Sequence, residues 1–176
     1  MSKAAIKFGL IAGGILLLAF IFPLFIWGEN VDMDLGEIIG YTVMVISLTA
    51  VFFGIKAYRD KTLGGEISFG KAFGVGTYIS AVAGFIFGLF SYIFYEFLFP
   101  DFTQKWMKYY EDKIRTSGAP PDEIAKQIAE FQSQADFWNN SILQGLVMLF
   151  TVFAIGLVIA LISSAVLKKK KVQTVQ

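Results

Sequence analysis

Four long apolar runs, parted by polar stretches of unequal length, set the pattern of this chain. Phe8–Trp27 carries no charge over 20 residues, about the length that crosses a hydrocarbon core. Ile38–Ile55, Phe69–Phe99 and Ile142–Leu167 repeat the theme, with charges only near their ends. A secretory signal would have a shorter apolar region followed by a small-x-small cleavage site. The first run instead closes Phe22-Pro23-Leu24-Phe25-Ile26-Trp27. It therefore reads as a retained spanning helix, with Pro23 placed to bend its far end and Trp27 suited to the interface. The third run is too long for a ~30 Å core at 1.5 Å per residue. Its last turns, with Tyr92, Tyr95 and Glu96, are expected to stand out of the bilayer before Pro100 ends the helix.

The polar stretch Asp101–Asn140 has a different period. Phe102, Trp106, Tyr109, Tyr110 and Ile114 mark one amphipathic helix, and Ser117-Gly118 stops it. Pro120-Pro121 with Asp122 and Glu123 opens a second, whose stripe is Ile124, Ile128, Phe131, Ala135 and Trp138. The predicted fold is an all-α integral membrane protein. Residues 1–176 form a single four-span membrane domain, with residues 101–140 as a small extracytoplasmic helical hairpin between the third and fourth spans.

Small residues recur at every fourth position of the third run: Ala72, Gly76, Ser80, Gly84 and Gly88. Membrane helices meet through such faces, because lipid supplies no hydrophobic drive to bring apolar helices together. Gly9 and Gly13 in the first run and Gly156, Ala160 and Ser164 in the fourth offer similar faces. Each four-residue step turns an ideal helix about 40° past a full turn. The ladder is thus expected to wind around its helix and serve two partners at different depths. The first helix would meet it through Gly9 and Gly13, and the fourth helix or a second copy beyond Ser80.

Charge gives the orientation. Ten of the 15 basic residues lie at the N-terminus (Lys3, Lys7), between the second and third spans (Lys56, Arg59, Lys61, Lys71) and in the run Lys168–Lys171. The first loop, with Glu29, Asp32 and Asp34 ahead of Glu37, has none. The positive-inside rule then puts both termini in the cytoplasm and the hairpin outside, which in a double-membraned bacterium is the periplasm.

Composition narrows the chemistry. Hydrophobic residues make up 56% of the chain and charged ones only 16%, where a soluble domain has about a quarter. With no Cys and no His, thiolate chemistry, imidazole bases and the usual zinc sites are excluded. Asp32-x-Asp34-x-Gly36 lacks the later ligands of a calcium loop, so no metal and no cofactor is expected. No nucleophile–base constellation is visible either, and the chain does not read as an enzyme. Ionisable residues are missing from the middle of every run, which argues against proton or ion coupling. Glu37 and Glu96 are candidate interfacial carboxylates. Glu96 sits where the helix dipole disfavours an anion, so Lys105, Lys108 or Arg115 is expected to pair with it.

Lys56, Arg59, Lys61 and Lys71, with Ser68 as N-cap of the third helix, form the other candidate site. Cations beside the open N–H groups of a helix start can contact a lipid headgroup phosphate or a partner, besides anchoring the loop. The basic surface is too small for nucleic acid.

The same loop carries a resemblance. Phe53-Gly54-Ile55-Lys56-Ala57-Tyr58-Arg59-Asp60-Lys61, then Gly65-Glu66-Ile67-Ser68-Phe69-Gly70-Lys71-Ala72-Phe73, resembles the central signature of a bacterial family of small membrane proteins common in Bacteroidota. The family is catalogued as domain of unknown function number 4199. Pro100-Asp101-Phe102 and Asp122-Glu123-Ile124-Ala125-Lys126-Gln127 fit the same pattern. The resemblance implies an inner-membrane protein and carries no activity. The expected role is that of a structural or accessory membrane protein, a scaffold or partner subunit, acting on the bilayer side through helix packing and outside through its hairpin. The partners would be the lipid bilayer and either a second copy or another membrane protein. The alternative is a transporter or lipid-handling protein with a site between the helices.

Overall fold

A computed structural model describes residues 3–27 and 32–169. Among these, every regular element is helical, and four stretches are long and apolar enough to cross a membrane: Ala5–Phe22, Met33–Thr62, Phe69–Leu98 and Ser141–Leu167. Glu29, Lys170 and Lys171 lie outside the described residues, as do the side chains of Pro23 and Trp27.

Helix α1 runs Lys3–Trp27, α2 Met33–Leu48 and α3 Ala50–Thr62. The second span thus starts a full turn before the expected Ile38 and ends beyond Ile55. The reason lies in its ends. The Asp32 carboxylate accepts from Leu35 N–H at 3.1 Å and caps α2, while Arg59 and Lys61 in the last turn of α3 suit the negative end of the dipole. Thr49 separates α2 from α3. Its N–H reaches back to Ile46 O at 3.1 Å, and its hydroxyl donates to the same carbonyl at 2.6 Å. A Thr hydroxyl bonded to its own preceding turn is a recognised cause of helix bending.

Helix α4 spans Phe69–Ile93 and passes into a π turn over Phe94–Leu98. Helices α5 (Phe102–Arg115), α6 (Pro121–Ser133) and α7 (Ala135–Trp138) follow, and α8 (Ser141–Leu167) closes the chain. The chain divides into two compact units, one of Met1–Phe87 with Met148–Gln176 and one of Gly88–Val147.

In the first unit, a seam joins α4 to α8. A methyl placed on Gly76 would lie 2.6 Å from the Ala160 Cβ, and one on Gly84 would lie 2.8 Å from the Leu149 carbonyl oxygen. Gly156 meets Ser80 in the same way. As the rungs advance along α4 their partners recede along α8, so the two helices are antiparallel. The fourth helix was expected on the ladder only beyond Ser80, and it reaches back to Gly76. One helix takes the ladder from Gly76 to Gly84, because small residues of α8 fall at matching four-residue steps and two wrapped helices absorb the angular drift. The nearest neighbours of a methyl on Gly9 or Gly13 are not rungs. These two glycines accept the larger Val82 and Ile86 of α4, whose atoms would lie 2.7 Å and 2.9 Å from an added methyl. Gly54 of α3 likewise accepts Ile79 and Phe8, and Ile55 abuts Gly76. Glycine is needed at these places for closeness of approach.

The polar groups buried in this unit, among the described residues, are hydroxyls: Ser47, Ser80, Ser163 and Ser164. Ser80 and Ser164 donate to carbonyls four residues back on their own helices, at 2.9 Å and 2.6 Å. Ser47 Oγ and Thr77 Oγ1 are buried with no hydrogen-bond partner among the described residues.

The second unit has an aromatic core. Trp106 of α5 packs on Phe131 of α6 (ring centroids 5.9 Å) and Trp138 of α7 (5.4 Å). Glu111 ties α5 to α6 by accepting from Gln132, and it accepts from Arg115 on its own helix at 2.5 Å. Gly118, with φ of 77°, makes the turn that lets α6 fold back. Within this unit, the Gly88 carbonyl oxygen would lie 2.9 Å from a methyl on Gly145.

Candidate functional site

The α3–α4 connection is built on Arg59. Its carbonyl accepts from Leu63 N–H (3.2 Å) and Gly65 N–H (2.9 Å), which closes α3. Gly64 and Gly65 take positive φ of 67° and 96°, a region that side chains strain to enter. Ile67 then pairs with Lys169 through two backbone hydrogen bonds of 3.1 and 2.9 Å. Ser68 Oγ accepts from Lys71 N–H at 3.4 Å and caps α4.

Of the predicted loop residues, Lys56, Lys61 and Lys71 are exposed. Arg59 is not a free cation: its Nε donates to Asp60 at 2.7 Å and its guanidinium also donates to Leu167 O at 3.3 Å. It ties the end of α3 to the end of α8, where a cation also meets the negative pole of that helix. The Ile67–Lys169 pairing brings a further lysine here, and Lys56 and Lys169 both act electrostatically on the Asp60 carboxylate. Exposed ammonium groups beside a capped helix start are suited to an anion such as a phosphodiester. Arg59 holds the frame on which they sit.

A second concave site lies within the unit Gly88–Val147. The π turn widens the end of α4, with Phe99 N–H bonded to Phe94 O at 2.8 Å, and Pro100 offers no N–H to continue. Glu96 on this turn accepts a short hydrogen bond from the Ser141 hydroxyl. Ser141 is thus one partner of Glu96, and Arg115, one of the three expected cations, is bound to Glu111. Gln144, one turn into α8, is buried, and its Nε2 donates to Thr103 Oγ1 (2.9 Å) and to Trp138 O (2.5 Å). These groups line a cleft of about 260 Å³, completed by Tyr95, Pro100, Gln104 and Asn139. Glu37, the other candidate carboxylate, is an exposed residue of α2 in the first unit.

The ladder residues are structural in placement. Ala72, Gly76, Ser80, Gly84 and Gly88 are all buried, as are Gly9, Gly13, Gly156, Ala160 and Ser164. What sequence reasoning missed is the polar pairing: Glu96 with Ser141, Gln144 with Thr103, Arg59 with Leu167. Gln144 gave one usable signal, being an amide inside an apolar run, where a polar side chain must find a partner.

No curated protein and no solved structure matches the chain. Residues 7–169 match the family described as "Protein of unknown function (DUF4199)", a span that takes in the Arg59 loop, the α4–α8 seam and the Glu96 cleft alike. The chain is therefore a member of that family, a membrane-embedded protein whose shared sequence extends over all four apolar helices.

Proposed function

We propose that this protein is a structural or accessory component of a bacterial inner membrane, a scaffold or partner subunit and not an enzyme. It would cross the membrane four times with both termini in the cytoplasm and carry α5–α7 outside as a helical hairpin. The α4–α8 seam supports this reading best. Gly76, Ser80 and Gly84 on one helix and Ala160 and Gly156 on the other leave their backbones in near contact. The buried polar side-chain groups named in that unit, among the described residues, are hydroxyls. An interior filled by such contacts suits a rigid assembly module better than a path for a polar solute. The basic bias of the N-terminus, the α3–α4 loop and the Lys168–Lys171 run favours the orientation.

Two measurements test it. Reporter fusions near Gln173 and within Ser117–Pro120 are expected to read cytoplasmic and extracytoplasmic respectively; a cytoplasmic signal from both rejects the topology. Photo-crosslinking in cells from Phe137, which is 40% exposed, is expected to give one stoichiometric adduct, with a second copy or with another membrane protein. A monomer free of adducts at the native expression level rejects the scaffold role. A lipid-handling role is the second reading. It is favoured by Lys56 and Lys169 gathered about Asp60 on the frame set by Arg59.

A further inference from the structure

The cleft around Glu96 and Ser141 is a site of another kind. Its walls carry one formal charge, the Glu96 carboxylate, and neither lysine nor arginine. Ser141 occupies one oxygen of that carboxylate, which can accept about four hydrogen bonds in all. Gln144 is oriented without ambiguity: the atom 2.5 Å from the Trp138 carbonyl oxygen must be its N–H-bearing nitrogen. Both of its N–H groups are spent inside the protein, on Trp138 and Thr103, so its Oε1 is the atom left for a ligand. Tyr95 adds an aromatic residue to the wall. A negative, acceptor-rich cleft with one aromatic wall selects a cation that has N–H groups to give. A quaternary ammonium has none and needs a cage of several rings.

Size and depth narrow the ligand. The volume of about 260 Å³ is below the ~300–1,000 Å³ of pockets that engulf drug-sized molecules. It matches one small polar group. Glu96 ends the span Phe69–Leu98, and Ser141 and Gln144 open the span Ser141–Leu167, so the cleft lies where apolar helix meets the headgroup layer. There a carboxylate is less screened than in bulk water.

The geometry points to a binding site for a primary ammonium group, of the kind borne by an ethanolamine phospholipid headgroup or a small soluble amine. Glu96 is the counter-ion, and Gln144 and the Gln104 and Asn139 amides are acceptors. Ser141 and Thr103 position Glu96 and Gln144.

The test uses the full-length protein in detergent micelles doped with phosphatidylethanolamine or phosphatidylcholine, read by native mass spectrometry. Ethanolamine-lipid adducts are expected to exceed choline-lipid adducts by about tenfold, the ratio that one charge-assisted hydrogen bond supplies. Glu96→Gln keeps an acceptor for Ser141 and removes the charge, and it is expected to erase that preference. Gln104→Lys, at an exposed position of α5, puts a tethered ammonium beside the cleft and is expected to do the same with an unchanged melting temperature, which separates lost binding from lost folding. Free ethanolamine then tells the sources apart. Displacement of the lipid at equal concentration assigns the site to soluble amines, and failure to displace it assigns the site to the lipid. Equal retention of the two lipids, or a preference that survives both substitutions, overturns the proposal.

Discussion

The Arg59 guanidinium donates to the Leu167 carbonyl oxygen at 3.3 Å while its Nε holds Asp60 at 2.7 Å. One side chain thus ends two helices. Lysine keeps the charge but lacks the fork that serves both acceptors. Arg59→Lys is expected to cost about 1 kcal/mol, the scale of one partly exposed hydrogen bond, and to loosen residues 167–169. Because the chain has no Cys, a single cysteine at position 169 reports this directly. Maleimide labelling is expected to be faster in the Arg59→Lys background, and equal rates would refute the tie.

The α4–α8 seam predicts a ranking. A methyl at Gly84 falls 2.8 Å from the Leu149 carbonyl oxygen, and a backbone atom cannot step aside as a side chain can. Gly84→Ala is expected to destabilise by about 1–3 kcal/mol, as overpacking does, and Gly84→Leu by more. Phe85, 61% exposed, should tolerate Leu with little change. Thermal unfolding in micelles measures the order, and Phe85→Leu proving worse than Gly84→Leu would remove the packing argument.

Much of this was legible in the chain and some was not. The four apolar runs gave the four spans, and the Trp106 and Phe131 stripes gave the two helices that pack on each other. The start of α2 came out late because its cap, Asp32, is disguised inside an acidic loop. The fourth helix was expected on the ladder only beyond Ser80, because the drift was taken from one straight helix; Gly156 and Ala160 carry the period that extends the contact back to Gly76. The cleft was least legible. Glu96 with Ser141, and Thr103 with Gln144, are polar pairs far apart in sequence. Such pairs leave no periodic trace.

Ser47 offers the opposite kind of substitution. It is 1% exposed, and its hydroxyl has no partner among the described residues. An unpaired buried hydroxyl costs about 1–3 kcal/mol, and Ala removes it while leaving only a small void. Ser47→Ala is expected to hold or raise the melting temperature. A clear fall would mean that the hydroxyl is bonded, through water or a lipid group.

Acid should weaken the tie between α5 and α6. The Arg115 side-chain bond holds the Glu111 carboxyl below the usual range; partial desolvation opposes it, and the Gln132 amide adds to the lowering. A depressed carboxyl stabilises the fold above its unfolded pKa, about 4.3, and that support is lost as pH falls through the lower, folded value. Fluorescence of Trp106 and Trp138 is expected to shift in that acid window, and Glu111→Gln is expected to flatten the shift. An identical profile in Glu111→Gln would assign the transition to another group.

The pairing of Ile67 with Lys169 also imposes an order on biosynthesis. Two peptide groups early in the chain wait for a residue made after the last span, so the loop that carries the family resemblance cannot close until α8 has been synthesised. Until then the Ile67 amide and carbonyl must bond to water or to headgroups. A nascent chain with three spans in place still has an open clasp at that loop, and only the arrival of the fourth completes it.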